Sequence, residues 1–256
     1  MLEARGLVKR FGGTMAVNDV SFTVGPSEVL GYLGPNGSGK TTTVNMLVGL
    51  LQPTRGHVRF DGCDIWDDIV SYRRGVGYVP EEPNLYPYLT GREYLELVGR
   101  LRSLPDSLLS RRITRLLTLF SLEPDSHSPL SSYSKGMRQK VLISAALLHD
   151  PGVLVFDEPM SGLDAASAVI FRHLIKALAR AGKTVLYSSH ELEAVERVAD
   201  RVVVLHQGRM AAHDSVERLR ELMKLDSLEE IFTELVFTED PEAVANRIID
   251  AVVSRD

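Results

Sequence analysis

A glycine-rich run of eight residues is the feature that most restricts how this chain can fold. Residues 34–41 read GPNGSGKT, which matches the pattern G-x-x-x-x-G-K-[ST], and they lie between a β-rich apolar segment and a helix-like segment. Glycines let such a loop wrap tightly enough for successive backbone N–H groups to point inward, and the following helix adds the positive end of its dipole. The run therefore predicts a phosphate-binding loop between a strand and a helix.

The side chains of this loop suit a nucleoside triphosphate. Lys40 would place a positive charge on the β- and γ-phosphates, and the hydroxyl of Thr41 is suited to Mg²⁺. The other expected contacts come from the loop and the first helical turn: Gly34, Pro35, Asn36, Gly37, Ser38, Gly39 and Thr42. The alternative interpretation is a plain glycine-rich turn before a helix.

A second apolar segment, residues 153–156, ends in two acidic residues, Asp157 and Glu158. Parallel strands present their carboxyl ends to the crevice in which ligands bind. We therefore expect Asp157 to hold Mg²⁺ together with Thr41, and Glu158 to polarise an attacking water as a general base. The alternative is that the two charges only cap a strand in solvent.

Strands and helices alternate in the second half of the chain. Uninterrupted apolar segments form strands that are buried on both faces, which indicates a parallel sheet. Such segments, and further β-rich ones, lie at residues 21–24, 29–33, 58–60, 76–79, 153–156, 184–187 and 202–205.

Helices are predicted from 3.6-residue periodicity and from capping boxes. Residues 90–148 and the tail from about Asp214 are helical in pattern. The helix after the phosphate-binding loop is expected to end near Pro53. The helix after the acidic pair is expected to carry Ile170, Leu174 and Leu178 on one face and to stop at Gly182. Capping boxes are expected for Thr90 with Glu93 and for Ser188 with Glu191.

Composition restricts the class of protein. Hydrophobic residues make up 44% of the 256 residues and charged residues 25%, as in globular proteins. The single cysteine, Cys63, excludes an internal disulfide framework and a four-cysteine zinc site. A net charge of −5 argues against nucleic acid as the main partner. No apolar run has the length of a membrane helix and no secretory signal opens the sequence, so we expect a protein of the cytosolic side.

Three further motifs make the order of segments specific. YSKGMRQ occupies residues 133–139, SGLD follows the acidic pair at 161–164, and a serine–histidine pair stands at 189–190. Together with the phosphate-binding loop and the acidic pair, in this order, they resemble the ATP-binding cassette (ABC) ATPases. The resemblance implies an α/β fold of the P-loop NTPase type, with a mainly parallel core sheet, an antiparallel β subdomain and an inserted helical subdomain.

The resemblance also assigns roles to residues at matching positions. Phe11 would stack on adenine, with a core phenylalanine as the alternative. Ser134 and Gly136 would contact the γ-phosphate held by a second subunit, and Asp164 would act across the same interface; the alternative for Ser134 and Asp164 is a plain N-cap. His190 would sense the γ-phosphate and act with Glu158 and Lys40 in catalysis.

The sequence departs from the family pattern at two places. The usual LSGGQ is YSKGM here, which keeps the serine and the second glycine. Glu81 replaces a glutamine; it keeps an oxygen ligand for Mg²⁺ but adds charge near the γ-phosphate. With residues 81–87 and the late LEEIF at 228–232, YSKGM resembles the exporter branch whose membrane subunits are separate chains.

The resemblance implies an ATP hydrolase that uses ATP and Mg²⁺ and energises a membrane transporter, here an exporter. Residues 1–213 would form the cassette, with a helical subdomain inserted at about 84–148, and residues 214–256 a helical extension.

The implied partners are transmembrane transporter subunits and a second cassette, either another copy or a related chain, at the cytoplasmic face of the membrane. The chain itself would not span the membrane, and no nucleic acid partner is expected. Tyr86 and Tyr88 are candidates for the contact with the membrane partner, or else pack within the helical subdomain. The alternative function is an ABC ATPase that acts on nucleic acid or as a nucleotide-gated scaffold.

Overall fold

The computed structural model describes residues 1–236 and 241–253 and contains two β-sheets with helices packed on them. The strands are β1 (Leu2–Phe11), β2 (Thr14–Val24), β3 (Val29–Leu33), β4 (Arg55–Phe60), β5 (Cys63–Asp64), β6 (Val76–Val79), β7 (Val153–Asp157), β8 (Thr184–Ser188), β9 (Arg201–His206) and β10 (Arg209–Asp214). The helices are α1 (Lys40–Leu47), α2 (Ile69–Arg74), α3 (Gly91–Leu101), α4 (Asp106–Leu119), α5 (Lys135–Leu147), α6 (Ala165–Arg180), α7 (Leu192–Glu196), α8 (Val216–Met223), α9 (Leu228–Val236) and α10 (Pro241–Val253).

The larger sheet is the scaffold of the site. Its strand order is β10-β9-β3-β8-β7-β6, and all neighbours are parallel except β10 with β9. Every residue of β3, β7 and β8 is buried, because these strands are covered on both faces. The predicted parallel sheet is confirmed, and the carboxyl ends of β3 and β7 lie at the same edge with β8 between them.

The smaller sheet is antiparallel, in the order β2-β1-β4-β5, as the resemblance implied. Phe22 of β2 is buried in the same cluster as Val44 and Leu47 of α1 and Leu186 of β8. Helix α1 therefore packs against both sheets, and this packing fixes the position of the loop that precedes it.

The region with a helical pattern forms a core of its own. Leu95 of α3, Leu109 of α4 and Val141 of α5 are buried together. The predicted capping box at the start of α3 is confirmed: the Thr90 hydroxyl accepts from the N–H of Glu93 at 3.1 Å, and the Glu93 carboxylate accepts from the N–H of Thr90 at 2.8 Å. The exact bounds of a helical subdomain stay a prediction.

The tail continues with α8 and α9, which pack onto the larger core through Leu219 and Leu228. The division of the chain after residue 213 stays a prediction, and residues 237–240 and 254–256 of the expected extension lie outside the described residues. In the described part of the chain, no helix is both long and apolar enough to cross a membrane.

Helix α1 is shorter than the sequence pattern predicted. It ends at Leu47 rather than near Pro53. Gly49 has a φ of +75°, a left-handed conformation that commonly ends a helix. The apolar residues that continue the pattern beyond Gly49 therefore belong to the following turn, where Leu50 is 59% exposed.

The buried face of α6 lies one residue beyond the apolar stripe that the sequence pattern shows. Phe171, Ile175 and Ala179 face the core, whereas Ile170 is 60% exposed. Helix α6 carries two adjacent apolar stripes, and the sheet covers the later one. Leu174, from the predicted stripe, lies half-buried at the edge of the core.

The close packing of α5 on β6 predicts the effect of a side chain at Gly77. A Cβ there would lie 2.4 Å from the carbonyl oxygen of Ala146 and 2.7 Å from Cδ2 of Leu154. We expect Gly77→Ala to lower the free energy of unfolding by about 1–3 kcal/mol, because a backbone atom cannot move aside as a flexible side chain can. Urea unfolding measures the change. Gly152→Ala is the matched control, since a Cβ at Gly152 meets no atom within 4 Å; equal midpoints for the two variants would contradict this packing.

Candidate functional site

The phosphate-binding loop is pressed against the backbone of two strands. A Cβ at Gly34 would lie 2.4 Å from the carbonyl oxygen of Leu205 in β9, and a Cβ at Gly39 would lie 2.4 Å from the carbonyl oxygen of Ala16 in β2. Gly39 also has a φ of +103°, a conformation that side chains rarely adopt. Glycine is therefore required at both positions, and α1 can begin at Lys40 directly beside the loop.

The side chain of Lys40 folds back over this loop. Its ammonium donates to the carbonyl oxygens of Gly34 at 2.5 Å and of Pro35 at 3.2 Å. Burial lowers the pKa of Lys40, and nearby carboxylates oppose that shift. The loop thus holds the lysine charge in place beside Glu81, Asp157 and Glu158.

A cavity of about 350 Å³ lies beside the loop. It is lined by the loop, the start of α1 and three acidic side chains: Ala16, Asn36, Gly37, Gly39, Lys40, Thr41, Thr42, Glu81, Asp157 and Glu158. The structure therefore brings together most of the predicted loop residues, the acidic pair and Glu81. Gly34, Pro35 and Ser38 belong to the loop but not to this lining. Sequence reasoning missed Ala16, since nothing in an alanine within a strand indicates that β2 passes the loop.

Asp157 has the character of a cation ligand. It is buried, and neither carboxylate oxygen has a hydrogen-bond partner in the described chain. Burial raises the pKa of Asp157 to about 6, and the charges of Glu81 and Glu158 add to the shift; the Ser188 hydroxyl lies close enough to oppose it, but not in hydrogen-bonding geometry.

Such a carboxylate, with the Thr41 hydroxyl in the same cavity, fits Mg²⁺, which prefers oxygen ligands. No group of three or more His, Cys, Asp and Glu side chains within residues 1–236 and 241–253 could hold a metal by itself. Any further ligands would therefore be Glu81 from the same cavity, the Thr41 hydroxyl, water or phosphate oxygens.

Glu158 and His190 form a pair at the rim of the cavity. Oε2 of Glu158 lies 2.8 Å from Nδ1 of His190 and accepts a hydrogen bond from the Ser189 hydroxyl at 3.3 Å. The Glu158 side chain is 10% exposed, whereas that of His190 is 68% exposed. A mostly buried carboxylate next to an open imidazole is an arrangement that can accept a proton and pass it on.

The predicted capping box of Ser188 with Glu191 is wrong. Strand β8 continues through Ser188, which is fully buried and so is not the cap of a helix. Helix α7 begins at Leu192, and the N–H of Glu191 donates to the Ser189 hydroxyl at 3.1 Å instead. His190 therefore lies in a loop before α7 rather than at a helix start.

Phe11 lies at the end of β1 and is 50% exposed, so the core alternative is wrong. The ammonium of Lys9 lies 5.4 Å from the centroid of its ring, within the range of a cation–π contact. The ring is not part of the cavity lining. A role in stacking on a base stays a prediction.

Three residues that the resemblance assigns to the nucleotide lie away from this cavity. Ser134 is the N-cap of α5 and Asp164 that of α6, and each accepts a hydrogen bond from the N–H three residues on, at 3.2 and 2.8 Å. Gly136 approaches the SGLD segment so closely that a Cβ would lie 2.6 Å from the carbonyl oxygen of Gly162. The capping roles of Ser134 and Asp164 are confirmed, and both side chains face outward.

A glycine-rich loop between β3 and α1, with two carboxylates at the end of β7 across the cavity, defines a P-loop nucleoside triphosphatase.

Comparison with known proteins identifies the family within this class. A family model described as ABC transporter matches residues 17–161. The ABC transporter ATP-binding protein NatA of Bacillus subtilis (strain 168) is 39% identical over 218 residues, which cover 85% of this chain and 89% of that protein. The Nod factor export ATP-binding protein I of Ralstonia nicotianae is 36% identical over 219 residues, 86% of this chain and 68% of that protein.

Solved structures agree. One described as the ATP binding subunit of an ABC transporter superposes with a TM-score of 0.87 at 35% identity, covering 92% of this chain and 99% of that chain. A dimeric post-hydrolysis state of the cassette MJ0796, bound to ADP and Pi, gives 0.78 at 26% identity, covering 84% and 99%. The chain belongs to the ABC transporter ATP-binding family, and it binds and hydrolyses ATP as a subunit of such a transporter.

The buried Asp157 predicts how stability depends on pH. Without Mg²⁺, the folded protein keeps the Asp157 proton up to pH about 6, whereas the unfolded chain releases it near 3.8. Raising the pH through this window therefore lowers the free energy of unfolding, by about 3 kcal/mol for a shift of this size. Asp157→Asn removes that loss, so the variant should match the wild type near pH 4 and exceed it at pH 7. Urea unfolding in EDTA measures both curves; parallel curves would contradict a buried charge.

Proposed function

We propose that two cassettes close around ATP and drive a membrane exporter from the cytoplasmic face. The observation that carries this is the division of the site: the cavity holds the loop and the acidic residues, while Ser134, Gly136 and Asp164 lie outside it. A second subunit, another copy or a related chain, would bring its own Ser134 segment to the open side of the cavity. The dimeric structure of a similar cassette with ADP and Pi supports this arrangement.

Within one subunit, the inward backbone N–H groups of the loop and the Lys40 ammonium hold the β- and γ-phosphates. Thr41, Asp157 and Glu81 would hold Mg²⁺, which when bound would supply positive charge to the phosphate oxygens. The bare oxygens of Asp157 support this assignment. Phe11, exposed at the end of β1, stacks on the adenine.

Hydrolysis depends on the pair at the rim of the cavity. Glu158 takes the proton of the attacking water, and His190 exchanges its contact with Glu158 for a hydrogen bond to the γ-phosphate. Because the γ-phosphate then joins the two subunits, ATP binding favours the closed dimer and hydrolysis releases it.

Glu158→Gln tests the role of the base. We expect ATP affinity to stay unchanged and turnover to fall by about 10²–10⁴-fold, because an amide cannot accept the proton of water. Phosphate release from Mg-ATP measures turnover, and sedimentation with ATP should show stable dimers.

Glu193→Gln is the matched control, since Glu193 is an exposed carboxylate on α7 whose side chain is 83% exposed. Unchanged turnover of Glu158→Gln would remove Glu158 as the base. A monomer at saturating ATP would refute the two-subunit model.

The segment from Glu81 to Tyr88 is proposed to contact the membrane subunit. Tyr86 is 63% and Tyr88 91% exposed. The ring of Tyr86 lies 6.5 Å from that of Tyr94, whereas the side chain of Tyr88 projects almost entirely into solvent. Exposed tyrosines suit an interface. Glu81 lines the cavity at the start of the same segment, so the contact can report the state of the nucleotide. Export as the direction of transport is supported by the name of the similar Nod factor protein.

Tyr88→Ala tests this contact. We expect the ATPase activity of the isolated protein to stay unchanged, while affinity for the membrane subunit falls by about tenfold, as for loss of an interface aromatic. The measurement is co-elution of a transmembrane protein with the tagged chain from detergent extracts, identified and quantified by mass spectrometry. Leu119→Ala is the control, since Leu119 is 76% exposed on α4. Equal recovery with both variants would rule out the Tyr88 contact.

A further inference from the structure

Lys135 stands where the family motif has a glycine, and its side chain has a defined partner. Its ammonium donates to the Ser161 hydroxyl at 2.7 Å. Ser161 opens the SGLD segment that follows the acidic pair. The lysine therefore joins the first turn of α5 to the segment between β7 and α6.

Two further side-chain contacts reinforce the same junction. The stem of Lys135 covers Gly162 so closely that a Cβ on Gly162 would lie 2.8 Å from Cγ and Cδ of the lysine. One turn further along α5, the amide of Gln139, which is fully buried, donates to the carbonyl oxygen of Pro159 at 3.0 Å. Helix α5 is thus attached to residues 159–162 at successive turns.

Residues 159–162 are in turn fixed to the acidic pair. The N–H of Ser161 donates to the carbonyl oxygen of Glu158 at 3.1 Å, and that of Leu163 to the carbonyl oxygen of Met160 at 3.0 Å. Lys140 adds an ion pair to Asp164 at 3.8 Å. A continuous set of contacts therefore runs from the N-cap of α5 to the backbone of Glu158.

We propose that Lys135 is a positioning residue that ties the Ser134 segment to Glu158 of the same subunit. When Ser134 binds the nucleotide held by the partner subunit, this connection would orient the catalytic carboxylate of Glu158 in the subunit to which Ser134 belongs. This inference rests on the proposed function, since it requires two cassettes around ATP. The ammonium is engaged by Ser161 and its stem covers Gly162, so Lys135 acts within its own chain rather than on the phosphate of the second subunit. Hydrolysis of ATP at the two sites of the dimer would then be coupled.

A double-mutant cycle tests this proposal. Lys135→Met keeps the aliphatic stem and removes the donor, and Ser161→Ala removes the acceptor. We expect each to lower kcat by about 3- to 10-fold, the effect of one charge-assisted hydrogen bond, with KM for ATP unchanged and a reduced Hill coefficient. Because both remove the same bond, the double variant should be no slower than either single one. Lys135→Arg, which keeps a donor, should restore most of kcat.

The control is Lys183→Met, which removes another lysine contact at the opposite edge of the larger sheet. The Lys183 ammonium lies 2.6 Å from Oδ1 of Asp150, a distance similar to that between Lys135 and Ser161. Its kcat should stay at the wild-type value. A different result would overturn the proposal: the double variant loses kcat by the product of the two single losses, and Lys135→Met is much slower than Ser161→Ala. That result would mean that the lysine contacts the phosphate held by the other subunit. Unchanged kcat in both single variants would overturn it as well.

Sedimentation of Glu158→Gln with ATP, run in parallel, separates failure of this proposal from failure of the proposed function. If that variant forms dimers while the Lys135 variants behave as wild type, the proposed function stands and the role of Lys135 is refuted. If it stays monomeric, both the proposed function and the role of Lys135 are refuted.

Discussion

The balance of charge inside one small cavity governs this site. Glu81, Asp157 and Glu158 face the same space as a single ammonium, that of Lys40. A triphosphate entering such a cavity is repelled by carboxylates unless the backbone N–H groups of the loop and a divalent cation outweigh them. Glu81, in place of a neutral glutamine, adds a third carboxylate whose charge such a cation would have to offset.

The sheet explains how these groups meet. Parallel strands β3 and β7 end at one edge, so the loop after β3 and the carboxylates at the end of β7 share a crevice although they lie far apart in the sequence. Helix α1, packed against both sheets, keeps the loop from moving relative to that edge. The segment after β7 then carries the connection onward to α5. Segments that are far apart along the chain are therefore brought together by neighbouring strands of one sheet.

The sequence predicts well where local chemistry decides the structure. β3 and β6 have the predicted bounds, because Gly34 and Pro80 end their apolar runs. The grouping of the loop with the acidic pair was predicted because parallel strands present their carboxyl ends at one edge of a sheet. Ala16 could not be predicted, since its place beside the loop depends on how β2 packs. The prediction that His190 lies at a helix start was wrong because Ser188 is a residue type that commonly caps a helix, yet here it belongs to strand β8. In each case a contact between distant segments overrode the local pattern.

The near contact between Gly136 and Gly162 limits how descendants of this chain can diverge. A methyl group on Gly136 would collide with a peptide oxygen, and one on Gly162 would collide with the stem of Lys135 besides straining a backbone at φ +84°. A side chain at either glycine therefore requires the opposing segment to move. The two motifs are sterically coupled, so a transplanted YSKGM segment should be accommodated best together with its own SGLD segment.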